Sequence, residues 1–163
     1  MGRASIAGGR SPIEPSKPNV TTPASGERAM TSSELQQMYG GKTWMWTDGG
    51  GYFDPSGSFY GAVGNSPATA YLARGRWATS DRGALCFQAL WAGQSGKNAE
   101  ETCFYHKVAN GRILQRKGQD GEWYTFKSPR VGPKDEFRKV ITGNRIGDKM
   151  THLRSKYLYG LAM

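Results

Sequence analysis

The chain is short of the residue types that most enzyme sites are built from. Two cysteines and two histidines in 163 residues exclude a closed all-cysteine zinc site and a disulfide-dense miniprotein. Neither His106 nor His152 has a second ligand at metal-binding spacing. No run of 18 apolar residues occurs, so a membrane-spanning helix is not expected. The first thirty residues contain no aromatic ring and four prolines. What is present is glycine, 23 residues, and aromatics at 12%. With glycine counted, the apolar share reaches about half, the level of a globular domain of one-domain length.

Charge and rings are distributed differently. The formal charge of +9 divides into +2 over residues 1–30, +1 over 31–126 and +6 over 127–163. Sixteen aromatics fall between Tyr39 and Phe126, and three follow. This predicts a polar leader over 1–30, a β domain over 31–142 that is near-neutral as far as Phe126, and a basic C-terminal tail over 143–163. The leader cannot bury enough surface to offset its ordering entropy and is expected to be disordered. It lacks the apolar core of a secretory signal but suits the spacer that follows one. The expectation is therefore a start placed downstream of a signal sequence.

Order should begin at Thr31. Thr31 with Glu34, or Ser33 with Gln36, has capping-box spacing. Leu35 and Met38/Tyr39 share a helical face, and Gly40-Gly41 stops the helix. From Lys42 the pattern changes to short runs cut by turns every 8–12 residues, the spacing of an all-β sandwich or barrel. Turns are expected at Asp48-Gly49-Gly50-Gly51, Asp54–Gly57, Asp81-Arg82-Gly83, Asn110-Gly111 and Asp120-Gly121. About seven or eight strands in an antiparallel meander result, since short loops join only antiparallel neighbours. Beyond 127 a solvated, partly frayed tail is favoured. Within it Phe137–Ile141 has the pattern of a final barrel-closing strand, and Asp148–Leu161 that of a short helix.

Cys86 and Cys103 can be placed by register. If their two strands pair about Gln94/Ser95, facing residues sum to 189. Cys86 then meets Cys103, Leu85 meets Phe104 and Phe87 meets Thr102. Antiparallel partners at about 4.5 Å lie within disulfide range. Two readings stand: a structural disulfide in an oxidising compartment, which is favoured, and two buried thiols in a cytosolic core. A catalytic Cys103–His106 pair is disfavoured, because residues three apart on a strand point to opposite faces.

Other motifs fail on context. Gly41-Lys42-Thr43 matches the end of a phosphate-binding loop, but Gln36 stands where that loop needs glycine and a strand follows. Glu100-Glu101 and Asp135-Glu136 read as solvated surface rather than acid/base couples. No catalytic constellation emerges, and neither a cofactor nor a metal is expected. The rings Trp44, Trp46, Trp77, Trp91 and Trp123 are candidates to fill the core or line a ligand. Lys134, Arg138, Lys139, Arg145 and Lys149 are candidate anion contacts in the tail. Few rings are interleaved with those charges, so nucleic acid is not favoured as a partner.

Read in order, Gly41-Lys42-Thr43-Trp44-x-Trp46, Tyr52-Phe53 with Gly57, Gly75-Arg76-Trp77, Gly83-x-Leu85-Cys86-Phe87, Cys103-Phe104-x-His106 and Glu122-Trp123-Tyr124-x-Phe126 resemble the domain of unknown function 995 family of proteobacteria. The resemblance spans about Leu35 to Phe126 and is most specific at Trp44/Trp46 and the Gly-x-Leu-Cys cluster. It implies a small secreted or periplasmic protein with a Trp and Cys framework and no assigned activity, and it carries no catalytic residues. A weaker likeness, at the level of fold, is to lipocalin-like envelope barrels, including bacterial protease inhibitors. The expected fold is mainly β: an antiparallel meander forming a small lipocalin-like barrel or sandwich with one short N-terminal helix. The expected function is a non-enzymatic, extracytoplasmic binding or structural module, periplasmic or secreted, with a glycan, lipid or protein partner in the cell envelope. The alternatives are a cytoplasmic nucleic-acid binder using 127–156 and a lipocalin-like protease inhibitor that threads its leader into an active site.

Overall fold

A computed structural model describes residues 26–160. The expected disorder of the leader falls on residues 1–25 and lies outside the described residues. Within them, Arg28–Ala29 already forms a strand, β1, upstream of Thr31. Met30, next in the chain, is buried. Helix α1 follows at Ser32–Tyr39, and of its two candidate caps it uses the first. Thr31 Oγ1 accepts from the Glu34 backbone N–H at 3.1 Å, and Glu34 Oε1 accepts from the Thr31 N–H at 2.9 Å. Leu35, Met38 and Tyr39 form its buried face, the i, i+3, i+4 spacing of a helix docked on one side.

The chain then makes one antiparallel meander: β2 (Lys42–Trp46), β3 (Gly49–Phe53), β4 (Ser58–Val63), β5 (Tyr71–Thr79), β6 (Ala84–Gly93), β7 (Gly96–Ala109), β8 (Arg112–Lys117) and β9 (Tyr124–Lys127). A final strand, β10 (Val140–Thr142), returns to pair with β2. The ten described strands form a single sheet in the order β10-β2-β3-β4-β5-β6-β7-β8-β9, with β1 alongside β7. This is the mainly β antiparallel meander expected from the turn spacing. The sheet curls into a half-barrel, and rings from distant strands meet inside it. Trp44 of β2 lies 6.3 Å from Phe126 of β9 and 4.8 Å from Phe104 of β7, centroid to centroid. Across the seam between β9 and β2, the bridge is a 3-10 turn at Glu136–Lys139. There Glu136 accepts a 2.8 Å hydrogen bond from Trp44 Nε1, and Phe137 packs on Phe126.

Alternation sets the two faces. Trp44, Phe53, Phe59, Trp77, Leu85, Phe87 and Phe126 point inward and close on α1 in the main core. Outside, Ala62 and Leu72 are covered by Ile146, Leu153 and Leu158 in a second cluster. Leu153 belongs to helix α2 (Gly147–Lys156), and the other two flank it.

The β6–β7 register is the one deduced from the sum of 189: Cys86 pairs with Cys103, Leu85 with Phe104 and Phe87 with Thr102. The cysteines form a disulfide with a Cα separation of 4.1 Å. Asn110-Gly111 makes the β7–β8 hairpin with φ of 54° and 81°, the paired left-handed turn that this dipeptide favours.

Three expectations are corrected. Gly49-Gly50-Gly51 is strand rather than turn. At Gly51 an added Cβ would lie 2.7 Å from the Phe59 ring and 2.9 Å from the Trp46 ring, so glycine there admits the rings rather than bending the chain. Asp120-Gly121 is part of a longer connection between β8 and β9 and not a two-residue hairpin. The third correction concerns residues 127–160, which are no frayed appendage. Phe137 and Val140 pack on the main core, and Ile146 and Leu153 are fully buried. Within this stretch α2 occupies the expected helix region with shifted ends, but Phe137–Lys139 of the expected barrel-closing strand is part of a 3-10 turn. The short β10 pairs with β2 alone, so the sheet stays open between β9 and β10.

Candidate functional site

Inside the half-barrel, beneath α1, lies a buried polar chain. Tyr39, His106 and Gln115 are each at most 1% exposed. His106 and Gln115 face each other across β7 and β8. His106 Nδ1 donates to the Gly83 carbonyl at 2.9 Å. That assignment leaves Nε2 as an acceptor for the Tyr39 hydroxyl at 2.7 Å. Gln115 Nε2 donates to the Tyr39 oxygen at 2.9 Å, and Gln115 Oε1 accepts from the Tyr124 hydroxyl. Every group in the chain is hydrogen-bonded, as burial requires. Burial pushes the His106 pKa down to about 4, against a smaller upward pull from the Gly83 carbonyl, so the imidazole is neutral at pH 7. Burial likewise holds the Tyr39 phenol well above its usual range. It raises Tyr124 to about 12, aided by the Glu136 charge. This chain of hydrogen bonds ties α1 to β7, β8 and β9.

The outer face above it is different. β1 continues the lane of β6 along β7, with Ala29 opposite Lys107, so loop, arm and hairpin enclose a cleft of about 330 Å³. Arg28, Arg82, Lys107, Arg116 and Trp123 line it, together with Glu27. The Trp123 ring holds Lys107 Nζ at 4.4 Å and the Arg116 guanidinium at 4.6 Å from its centroid, contacts worth about 0.5–1 kcal/mol each where exposed. Arg28 is committed to Glu34 through two hydrogen bonds of 2.9 and 2.8 Å. The Arg28 guanidinium, followed by the Thr31 N–H, lowers the Glu34 pKa to about 2. Lys107 reaches Glu27 at 3.4 Å. Arg116 differs: among the described residues it forms no ion pair, and its buried Nε has no hydrogen-bond partner. A larger depression, about 390 Å³ over β5–β7, mixes Arg74 with Glu100 and Glu101 and has no such excess of one sign.

Trp44 and Trp77 are buried in the main core, and Trp46 and Trp91 pack against it half-buried. Trp123 does not join them: it precedes β9 rather than lying on an inward strand position, and its ring carries the cleft cations instead. Lys139 pairs with Glu136 at 3.1 Å, and Lys149 donates to Asn65 at 2.9 Å. Arg145 Nε donates to the Thr142 carbonyl. These side chains, with Lys134 and Arg138, are strung along the closing segment and are not among those lining the cleft. Asp135, expected on the solvated surface, is buried. It accepts from the Ser128 N–H at 2.8 Å, the Ser128 hydroxyl at 3.0 Å and the Gly132 N–H at 3.0 Å. These bonds, the Ser128 N–H first, hold its carboxyl below the usual range.

Sequence reading missed the cleft because its cations lie in segments whose net charge nearly cancels. One signal was available. A hairpin centred on Asn110-Gly111 puts Tyr105 opposite Arg116 and Lys107 opposite Leu114, which aligns Lys107 and Arg116 on the outward face.

Fold and site together define a small antiparallel half-barrel with a ring-filled interior and a cation-lined cleft outside. The chain belongs to the family described as protein of unknown function (DUF995), whose family model matches residues 9–146. No curated protein and no solved structure matches it.

Proposed function

We propose that the protein is a non-enzymatic binding module of the cell envelope, periplasmic or secreted, that holds its ligand on the outside of the half-barrel. The observation that carries this reading is the contrast between the two sheet faces. Rings from α1, β2, β3, β4, β5, β6 and β9 occupy the interior, whereas the cleft over β7 and β8 offers open volume bordered by cations and an indole. A glycan, a lipid headgroup or an acidic protein segment each has groups that such a surface accepts. The compartment is supported by the Cys86–Cys103 disulfide, a bond that persists in oxidising surroundings. A lipocalin-like protease inhibitor would act through its leader, and the nucleic-acid alternative would use the 127–156 cations.

The experiment is fractionation of cells producing the untagged protein, with thiol-alkylation mass spectrometry on each fraction. The reading predicts a Cys86–Cys103 crosslinked peptide in the envelope or external fraction. Two alkylated thiols in a cytosolic protein would overturn the envelope assignment.

A further inference from the structure

We infer that the cleft between β1, the Asp81–Gly83 turn, β7, β8 and Trp123 is a site for an oxyanion, phosphate or carboxylate, carried on a sugar-sized body. This names the ligand class for the binding module proposed above and rests on that reading only for the compartment. Arg116 stands at the centre of the cleft's chemistry. A guanidinium held half-buried without an anion costs free energy that an oxygen partner would recover. Folding has nevertheless fixed this one, stacked on Trp123 at 4.6 Å, with no carboxylate of the described residues in ion-pair range. Lys107 approaches the same ring at 4.4 Å, so two cations are set against one indole before any ligand arrives. Such preorganisation reduces the ordering cost of binding.

The neighbours narrow the class. Arg28 and Lys107 have carboxylate partners, Glu34 and Glu27; at this face carboxylate oxygens already sit against two of the cations. Arg116 is the member for which an external oxyanion supplies the missing partner. Its planar fork matches the paired oxygens of phosphate or carboxylate. The volume, about 330 Å³, lies at the small end of ligand pockets, and the rings of Tyr105 and Trp123 border it. With Trp123 taken up by the two cations, the Tyr105 ring is the one that offers apolar surface to a C–H face of a polyol. An acidic monosaccharide unit fits charge, size and apolar surface together.

The test is calorimetric titration of the intact protein with glucose 6-phosphate, galacturonate and glucose at low ionic strength, repeated with Arg116→Gln, Lys107→Gln and Lys134→Gln. One or both anionic sugars should bind and glucose should not, with affinity falling as salt is added. Arg116→Gln should weaken binding about tenfold or more and Lys107→Gln by less. Lys134→Gln removes the same charge away from the cleft and should change affinity less than about twofold. Glucose 6-phosphate binding alone would assign a phosphate-bearing ligand, and galacturonate binding alone a uronate. The inference is overturned by equal binding of glucose, by binding of none of the three, or by equal losses in all three variants. A protein that binds these sugars yet carries free thiols in the cytosol would retain this inference and lose the envelope assignment. Far-UV circular dichroism checks that each variant is folded, and Lys107→Gln gives a second reading if Arg116→Gln does not fold.

Discussion

Lowering the pH from 7 to 4.5 should destabilise the protein through one residue. His106 is neutral in the fold because it is buried, and its Nε2 is already accepting from Tyr39. Its pKa drops from 6.5 to about 4, while in the unfolded chain it returns to about 6.5. Between those values the unfolded state binds a proton that the folded state refuses, so stability rises with pH across the window. On acidification the loss begins near pH 6.5, proceeds at about 1.4 kcal/mol per pH unit, and totals about 3 kcal/mol by pH 4. Glu34, lowered to about 2, loses its contribution only below about pH 4.5; Asp135, also lowered, follows below its own ordinary value. The upper window therefore belongs to His106. Urea unfolding at half-unit pH steps, on wild type and His106→Gln, reads the slope directly. Glutamine cannot titrate and keeps an acceptor for the Tyr39 hydroxyl, so the variant should be weaker at pH 7 yet nearly flat from pH 6.5 to 4.5. Equal slopes in the two proteins would refute the linkage, as would a His106 ring that titrates near 6.5 by NMR in the folded state.

Other consequences are as direct. Cys86→Ser with Cys103→Ser opens a loop of 17 residues' separation and should cost about 3 kcal/mol by the chain-entropy relation, seen as a lower denaturant midpoint in non-reducing buffer. Gly75→Ala sets a Cβ 1.8 Å from the Gln88 carbonyl oxygen, where backbone must move; a loss of about 3 kcal/mol or failure to fold is expected, read by thermal melting. Leu153→Ala removes the fully buried anchor of α2 and should cost about 2–5 kcal/mol, whereas a frayed tail would leave the melting temperature unchanged.

What could be read from the sequence was local. The α1 cap, the Asn110-Gly111 hairpin and the facing of Cys86 and Cys103 depend on residues close in the chain, where spacing and symmetry about a turn determine the contact. What could not be read joins distant segments. β1 pairs Ala29 with Lys107, Thr43 Oγ1 donates to the Gly143 carbonyl, and Glu136 receives Trp44 Nε1. Composition is silent on such pairings. The basic count beyond 127 suggested an appendage because a few apolar residues, Ile146, Leu153 and Leu158, are diluted among cations although each is buried. Gly49-Gly50-Gly51 misled for a related reason: glycine marks turns, but it also serves where rings crowd the backbone. The cleft combined both difficulties, since Arg28, Arg82, Lys107 and Arg116 come from three separate parts of the chain.

The central claim is that this half-barrel binds on its outside, at cations set against Trp123, and not among its interior rings. Two-dimensional NMR of the labelled protein titrated with glucose 6-phosphate or galacturonate tests it most directly. The account predicts shifts of the Trp123 indole N–H, the Arg116 Nε–H and the backbone of 105–107, with the Trp44 and Trp77 indoles unmoved. Shifts centred on Trp46 and Trp91, with Trp123 unaffected, would contradict it.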